Sequence, residues 1–166
     1  MAPSFVNILK QADIFFELTP TQLELIAALC EERRMNTGEM VFGENAASDE
    51  LYIIALGEIE ILVDPSLVGE AKPGVGPVTI ATLRRGQSFG EVALVDQGLR
   101  SASARCAQYN THLIVIPRDK LMLLCDTYPQ LGYRLMRNLA ADLALKIRNT
   151  DLRIREQLLY GVRRGG

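Results

Sequence analysis

The sequence predicts a mainly β fold: an antiparallel β-roll of the jelly-roll type, with helices before it and one long helix after it. Between residues 35 and 117, apolar side chains recur at every second position in short runs bounded by glycines. On both sides of this region they recur every three to four positions, which is the spacing of amphipathic helices. Many short strands separated by turn signals are typical of a roll or barrel. At 166 residues the chain is expected to form one domain.

Residues 1–34 are predicted to hold the N-terminal helices. Apolar side chains at helical spacing over residues 5–9 indicate a short first helix. A second helix starts with Thr19 as its N-cap, followed by a proline, and Gln22 completes a capping box. This helix is expected to end near Glu32. Its inward stripe comprises Leu23, Ile26, Ala27 and Cys30.

Residues 35–117 are predicted to form the β-roll. In one of its strands, Ile59, Ile61 and Val63 alternate with the residues between them, as on one face of a sheet. Residues 64–77 hold three of the seven prolines and are predicted to be an exposed, lengthened hairpin loop, with partner docking as an alternative role. The predicted strands are Met40–Phe42, Leu51–Ala55, Glu58–Val63, Val78–Leu83, Arg100–Ala107 and Thr111–Ile116.

Residues 118–166 are predicted to be helical up to a short tail. One helix is expected over Asp119–Thr127, and a long one from Pro129 to about Tyr160. The distal half of the long helix, residues 149–162, needs packing to be stable in water, so it is expected to contact a second chain or to fold back on the roll. Its apolar stripe comprises Leu135, Leu139, Leu143 and Ile147, continued by Ile154 and Leu158.

Composition favours a cytoplasmic binding protein over a membrane protein or an enzyme. The net charge is −2, and no run of about 18 apolar residues or signal peptide is present. The three cysteines are dispersed and lack CxxC spacing, which indicates reduced thiols rather than metal ligands. His112, the only histidine, lies in an apolar strand and reads as structural. We therefore expect no catalytic residue, metal site or cofactor.

The segment FGEVALVDQGLRSASA holds the candidate binding residues, because each has a use if the ligand is a ribose with a cyclic phosphate. Gly90 lets the backbone approach a ligand closely, and the N–H groups at the start of the EVAL turn can bind an anion. Glu91 suits a sugar hydroxyl as an acceptor. Arg100 supplies a planar fork of donors for phosphate oxygens. Ser101 adds a hydroxyl, and Ala102 a backbone N–H.

This segment, residues 89–104, closely resembles the phosphate-binding cassette of cyclic-nucleotide-binding domains. That family includes bacterial catabolite activators, protein kinase A regulatory subunits and cyclic-nucleotide-gated channels, and its cassette reads FGE, a short apolar stretch, a variable loop and R[ST]A. The resemblance covers roughly residues 5–145. The ligand-binding residues that it implies are Phe89, Gly90, Glu91, Val92, Ala93, Arg100, Ser101 and Ala102.

The resemblance also implies a ligand and a mechanism. The expected ligand is cAMP, because Ser101 is similar to the hydroxyl residue after the arginine in catabolite activators; cGMP and cyclic-di-GMP stay open. In the family the last helix covers the nucleotide as a lid, and in catabolite activators it also pairs two subunits. Arg134, Arg137 and Leu139 are the candidates to cap the base. We expect this helix to move from an open to a closed position, and the ligand to leave unchanged.

Two alternatives to nucleotide binding stay open, and the C-terminal residues bear on the expected partners. Glu91 and Arg100 could form a merely structural salt bridge, or the roll could be an interaction module that works without nucleotide. From Arg134 onward there are eight basic and three acidic residues, but no helix-turn-helix pattern follows, so a bacterial regulator without DNA-binding domain is expected and nucleic-acid binding is not. The expected partner is a second copy, through the C-terminal helix, or another protein.

Overall fold

Two antiparallel sheets form a β-roll with helices at both ends in the computed structural model, which describes residues 5–47, 49–64, 76–96 and 99–163. The strands are β1 Glu31–Met35, β2 Met40–Phe42, β3 Glu50–Leu56, β4 Glu58–Val63, β5 Val78–Arg84, β6 Ser88–Phe89, β7 Ser103–Cys106 and β8 Thr111–Pro117. The helices are α1 Val6–Lys10, α2 Pro20–Ala27, α3 Val92–Val95, α4 Arg118–Thr127 and α5 Pro129–Arg163, with a 3-10 turn at Asp13–Phe15.

The strand order confirms the predicted antiparallel roll with flanking helices. One sheet has the order β1-β8-β3-β6 and the other β2-β7-β4-β5, and every recorded strand pair is antiparallel. The capping box of α2 is also confirmed: the Thr19 hydroxyl accepts from the Gln22 N–H, and the Gln22 side chain accepts from the Thr19 N–H.

The central strands β3 and β8 are buried on both faces. Leu51 and Ile53 pack with the helices, whereas Tyr52 and Ile54, which point to the opposite face, pack between the two sheets. β8 alternates in the same way. Because side chains alternate across a strand, both strands are almost continuously apolar. The first sheet therefore separates a helical core from the interior of the roll.

The N-terminal boundary of the roll differs from the expectation. Helix α2 ends at Ala27, before the predicted Glu32, and Cys30 lies outside it. Residues 31–34 are not helical but begin strand β1, which pairs with β8. The sequence EERRM is polar because this edge strand is largely exposed, so it lacks the apolar alternation that would reveal a strand.

The other strands are close to their predicted bounds, with two further corrections. Arg100 lies outside β7, which starts at Ser103. In β4 the buried residues are Ile59 and Leu62 rather than Ile59, Ile61 and Val63, because the pairing with β5 shifts register between Ile61 and Leu62, as at a β-bulge. Most of the predicted 64–77 loop lies outside the described residues.

Helix α5 is anchored at its start and largely exposed toward its end. The Asn138 amide donates to the Ile14 and Phe16 carbonyls at 3.0 and 2.7 Å. The predicted stripe is buried at Leu135 and Leu139 but ends before Ile147, which is 63% exposed. Farther along, the Arg153 guanidinium donates to the Ile80 carbonyl of β5. No helix within the described residues combines the length and apolarity needed to cross a bilayer.

Candidate functional site

The predicted cassette begins where β6 leads into the single turn of α3. Phe89 is buried inside the roll, with its ring stacked on Tyr52 at a centroid distance of 4.9 Å. Gly90 follows with a φ of +76°, and a Cβ there would lie 2.8 Å from Arg100 Nη1 and 3.1 Å from the Glu50 carbonyl oxygen. Only glycine adopts this backbone angle freely. A glycine is therefore needed at position 90 for the start of the cassette to lie against the Arg100 guanidinium.

Arg100 is held by backbone carbonyls and is 6% exposed. Its Nη1 donates to the Gly90 carbonyl at 3.2 Å and its Nη2 to the Glu50 carbonyl at 2.8 Å. The guanidinium lies 4.2 Å from the centre of the Phe42 ring, a cation–π distance. Its Nε is buried and has no hydrogen-bond partner among the described residues. A guanidinium has five N–H donors, so Arg100 retains donors for an anion.

Glu91 is also only 6% exposed, and it pairs with helix α5 instead of Arg100. Its Oε1 lies 2.5 Å from Lys146 Nζ, which also donates to the Ser88 carbonyl at 3.2 Å and lies 3.0 Å from Asp142 Oδ2. The alternative of a structural Glu91–Arg100 salt bridge is therefore wrong. Arg100 is held by the Gly90 and Glu50 carbonyls, and Glu91 is held by Lys146.

Lys146 is a site residue that the sequence reasoning missed. Burial by itself lowers the pKa of its amine, but the charge of Glu91 and hydrogen bonds to Glu91 and Asp142 outweigh burial and raise the pKa above its usual value. One sequence signal could have found it: Lys146 lies seven residues after Leu139, and therefore on the same inward face of α5.

A network on β1 and β3 supports the wall behind Arg100. The Tyr52 hydroxyl donates to Glu50 Oε2 at 2.5 Å, and both terminal nitrogens of Arg33 reach the Glu50 carboxylate at 3.4–3.5 Å. Burial, together with the neighbouring Glu50 carboxylate, raises the pKa of Tyr52 to about 12. The phenol therefore stays protonated and keeps Glu50 in place, and the Glu50 carbonyl in turn positions Arg100.

Residues 32–128 match the family model described as cyclic nucleotide-binding domain. The chain belongs to this family. The match spans the roll, the cassette and helix α4, so it includes both Glu91 and Arg100 of this cyclic nucleotide-binding domain.

Known relatives agree with the family. A cyclic AMP receptor protein of Thermus thermophilus is 30% identical over 88% of this chain and 62% of its own length. The catabolite activator protein of the same organism superposes with a TM-score of 0.70 at 28% identity, over 87% of this chain and 62% of that one. A cyclic nucleotide-binding domain from Methylobacillus flagellatus has a TM-score of 0.77, 23% identity, and coverage of 93% and 82%. This chain thus spans less than two thirds of the Thermus proteins.

The other predicted ligand-binding residues of this cyclic nucleotide-binding domain differ in how deeply they are buried. Val92 is half exposed, and the backbone of Ala93 lies in α3. Ser101 is exposed and Ala102 is half-buried, so the two residues after Arg100 are near the surface. The structure thus places Phe89, Glu91 and Arg100 inside the domain and the small residues at its edge.

The structure places the three lid candidates on the proximal part of α5. Leu139 is buried in the helical core, Arg134 pairs with Glu17 at 2.8 Å, and Arg137 is exposed. Among the described residues, Lys146 is the α5 side chain with a recorded hydrogen bond to the cassette, at Glu91, and it also donates to the adjoining Ser88 carbonyl. The part of α5 before Leu143 packs on the N-terminal turn and α4, in a helical core that also includes Leu94 of the cassette.

His112 is a structural residue in this domain. Its Nδ1 lies 3.2 Å from Glu32 Oε1, and its Nε2 lies 3.2 Å from Asn110 Oδ1. Both ring nitrogens therefore have a polar neighbour, one on strand β1 and one in the turn before the central strand β8.

Proposed function

We propose that this domain binds a cyclic mononucleotide, cAMP, and acts as a regulatory module. The observation that carries the proposal is Arg100, a buried guanidinium that is fixed by two carbonyls beside the left-handed turn of Gly90. Its Nε has no hydrogen-bond partner in the described part of the chain. A buried cation of this kind is costly unless an anion accompanies it. The Thermus thermophilus relative named cyclic AMP receptor protein supports adenine as the base.

Each part of the ligand has a residue of matching chemistry. Arg100 would bind the cyclic phosphate with charge-assisted hydrogen bonds, assisted by the Ser101 hydroxyl and the Ala102 N–H. The 3′ and 5′ oxygens of the ribose are esterified in a cyclic nucleotide, so the 2′-hydroxyl is its only free donor, and Glu91 would accept from it. These residues bind and orient the ligand, which leaves unchanged.

The regulatory output would pass through α5. Lys146 joins this helix directly to the cassette, so a change at the cassette biases the position of the helix. We propose that nucleotide binding moves α5 to a closed position, driven by the difference in ligand affinity between the two positions.

We further propose that the distal part of α5 pairs with a second copy of the chain. Between Ala144 and Tyr160, the apolar side chains of this helix are exposed. Three leucines, Leu145, Leu152 and Leu159, recur at intervals of seven residues, which is the repeat of a coiled-coil seam. An exposed apolar stripe of this kind is typical of a protein–protein contact.

Isothermal titration of the purified protein with cAMP, cGMP and cyclic-di-GMP tests the ligand. We expect micromolar or tighter binding of cAMP. Arg100→Ala should weaken it by about 30-fold to several thousand-fold, because the substitution removes the cation that pairs with a desolvated phosphate.

Arg105→Ala is the matched control, since Arg105 lies on β7 and pairs with Glu60 at 2.8 Å; it should bind cAMP like the unchanged protein. Normal cAMP binding by folded Arg100→Ala would contradict the proposed site. If the unchanged protein is folded and binds none of the three nucleotides, the alternative of a nucleotide-independent interaction module becomes the better explanation.

A further inference from the structure

Lys146 lies at the centre of a small polar network that joins two parts of the molecule. Its amine contacts Glu91 at 2.5 Å and the Ser88 carbonyl at 3.2 Å, both in the cassette region, and Asp142 of its own helix at 3.0 Å. Ser88 and Glu91 are buried. A carboxylate as buried as that of Glu91 is unfavourable without a charged partner, and Lys146 is that partner.

The same lysine is an isolated attachment point of distal α5. Between Ala144 and Tyr160, Lys146 is the one side chain that is not exposed. The proximal part is held by Asn138 and by buried leucines, whereas the distal part has little apolar contact with the roll. Arg153 adds a contact to β5, but its side chain is exposed. The position of distal α5 therefore depends strongly on the Lys146–Glu91 bond.

We propose that Lys146 is a positioning residue of the site: it holds the Glu91 carboxylate in place for the 2′-hydroxyl of the bound nucleotide, and so ties nucleotide affinity to the position of α5. A carboxylate has several lone-pair sites, so Glu91 can accept from Lys146 and from a hydroxyl at the same time. This role rests on the proposed nucleotide function, and it names the group through which α5 acts on the ligand.

The role predicts that Lys146→Met, which keeps an unbranched side chain one atom shorter and removes its charge, loses selectivity for the ribonucleotide over the 2′-deoxynucleotide. Calorimetry would compare cAMP with 2′-deoxy-cAMP, or the corresponding guanine pair if cGMP binds more tightly. Loss of a charged hydrogen-bonding partner should weaken binding of the ribonucleotide by about tenfold. Binding of the deoxynucleotide, which has no 2′-hydroxyl for Glu91, should weaken much less. The ratio of the two affinities therefore becomes smaller.

A second measurement reports on the helix without any ligand. Hydrogen exchange of the amides of residues 144–160 should become faster in Lys146→Met, because the attachment of distal α5 is lost. Lys146→Arg should restore both the affinity ratio and the slow exchange. Lys120→Met, on an exposed lysine of α4, is the matched control and should change neither.

The outcomes separate this role from the proposed function. Unchanged or tighter ribonucleotide binding in folded Lys146→Met, or equal weakening of both nucleotides, would overturn the role while leaving the nucleotide function intact. Failure of the unchanged protein to bind any cyclic nucleotide would overturn both. If Lys146→Met does not fold, Lys146→Gln replaces it, with the same expected contraction of the affinity ratio.

Discussion

At the residue scale, Gly90 connects backbone conformation to ligand binding. Its φ is +76°, and an added Cβ would meet Arg100 Nη1 at 2.8 Å. We expect Gly90→Ala to lower the free energy of unfolding by about 2–3 kcal/mol, since both the backbone strain and the displaced guanidinium oppose the fold. cAMP affinity should fall at least about tenfold, because Arg100 would no longer lie where its carbonyl partners hold it. Urea unfolding and calorimetry measure the two effects.

Gly38→Ala is the control that separates strain from crowding. Gly38 has a similar φ of +90°, but nothing lies within 4 Å of an added Cβ. Gly38→Ala should lower the free energy of unfolding by only about 1 kcal/mol and leave cAMP binding unchanged. Equal stability losses for the two variants, with normal binding by Gly90→Ala, would contradict the close approach between Gly90 and Arg100.

The residues of the site were predictable to different extents. Gly90, Glu91 and Arg100 stand in one short segment, whose pattern indicates an anion and a sugar as ligand. Lys146 and the Glu50 carbonyl were not predictable in this way, because they come to the cassette from α5 and β3. Their contribution depends on how the helix and the sheet are placed.

At the scale of elements, α5 changes from a core helix to an exposed helix along its length. Leu139 is 1% exposed and packs in the helical core. We expect Leu139→Ala to lower the free energy of unfolding by about 2–5 kcal/mol through lost contacts and a cavity, as measured by urea unfolding.

A leucine-to-alanine substitution at an exposed position of α4 is the control for Leu139→Ala. Leu123 is 67% exposed, so Leu123→Ala should change stability by less than about 0.5 kcal/mol. Similar losses in the two variants would show that α5 does not pack as described. The spacing of leucines alone predicted a stripe that continued through Ile147, but the helix leaves the core before that residue.

At the scale of the whole molecule, the exposed stripe of distal α5 predicts self-association. Leu152→Glu combined with Leu159→Glu should shift the protein from dimer to monomer in sedimentation equilibrium, because charges would replace the apolar seam. Leu123→Glu, an equally exposed position on α4, should leave the dimer intact. A monomeric unchanged protein, or a dimer that tolerates the double substitution, would contradict pairing through this stripe.

The sequence by itself determined the local features of this protein. The α2 capping box, the two-residue periodicity of the strands, the cassette and the extent of α5 all follow from residues close together in the chain, so short-range sterics and periodicity reveal them. The tertiary structure alone decided that EERRM is an edge strand, that β4 changes register, and that Lys146 reaches Glu91 from 55 positions away. These features depend on which elements pack together, because strand pairing and the pairing of buried charges are long-range interactions.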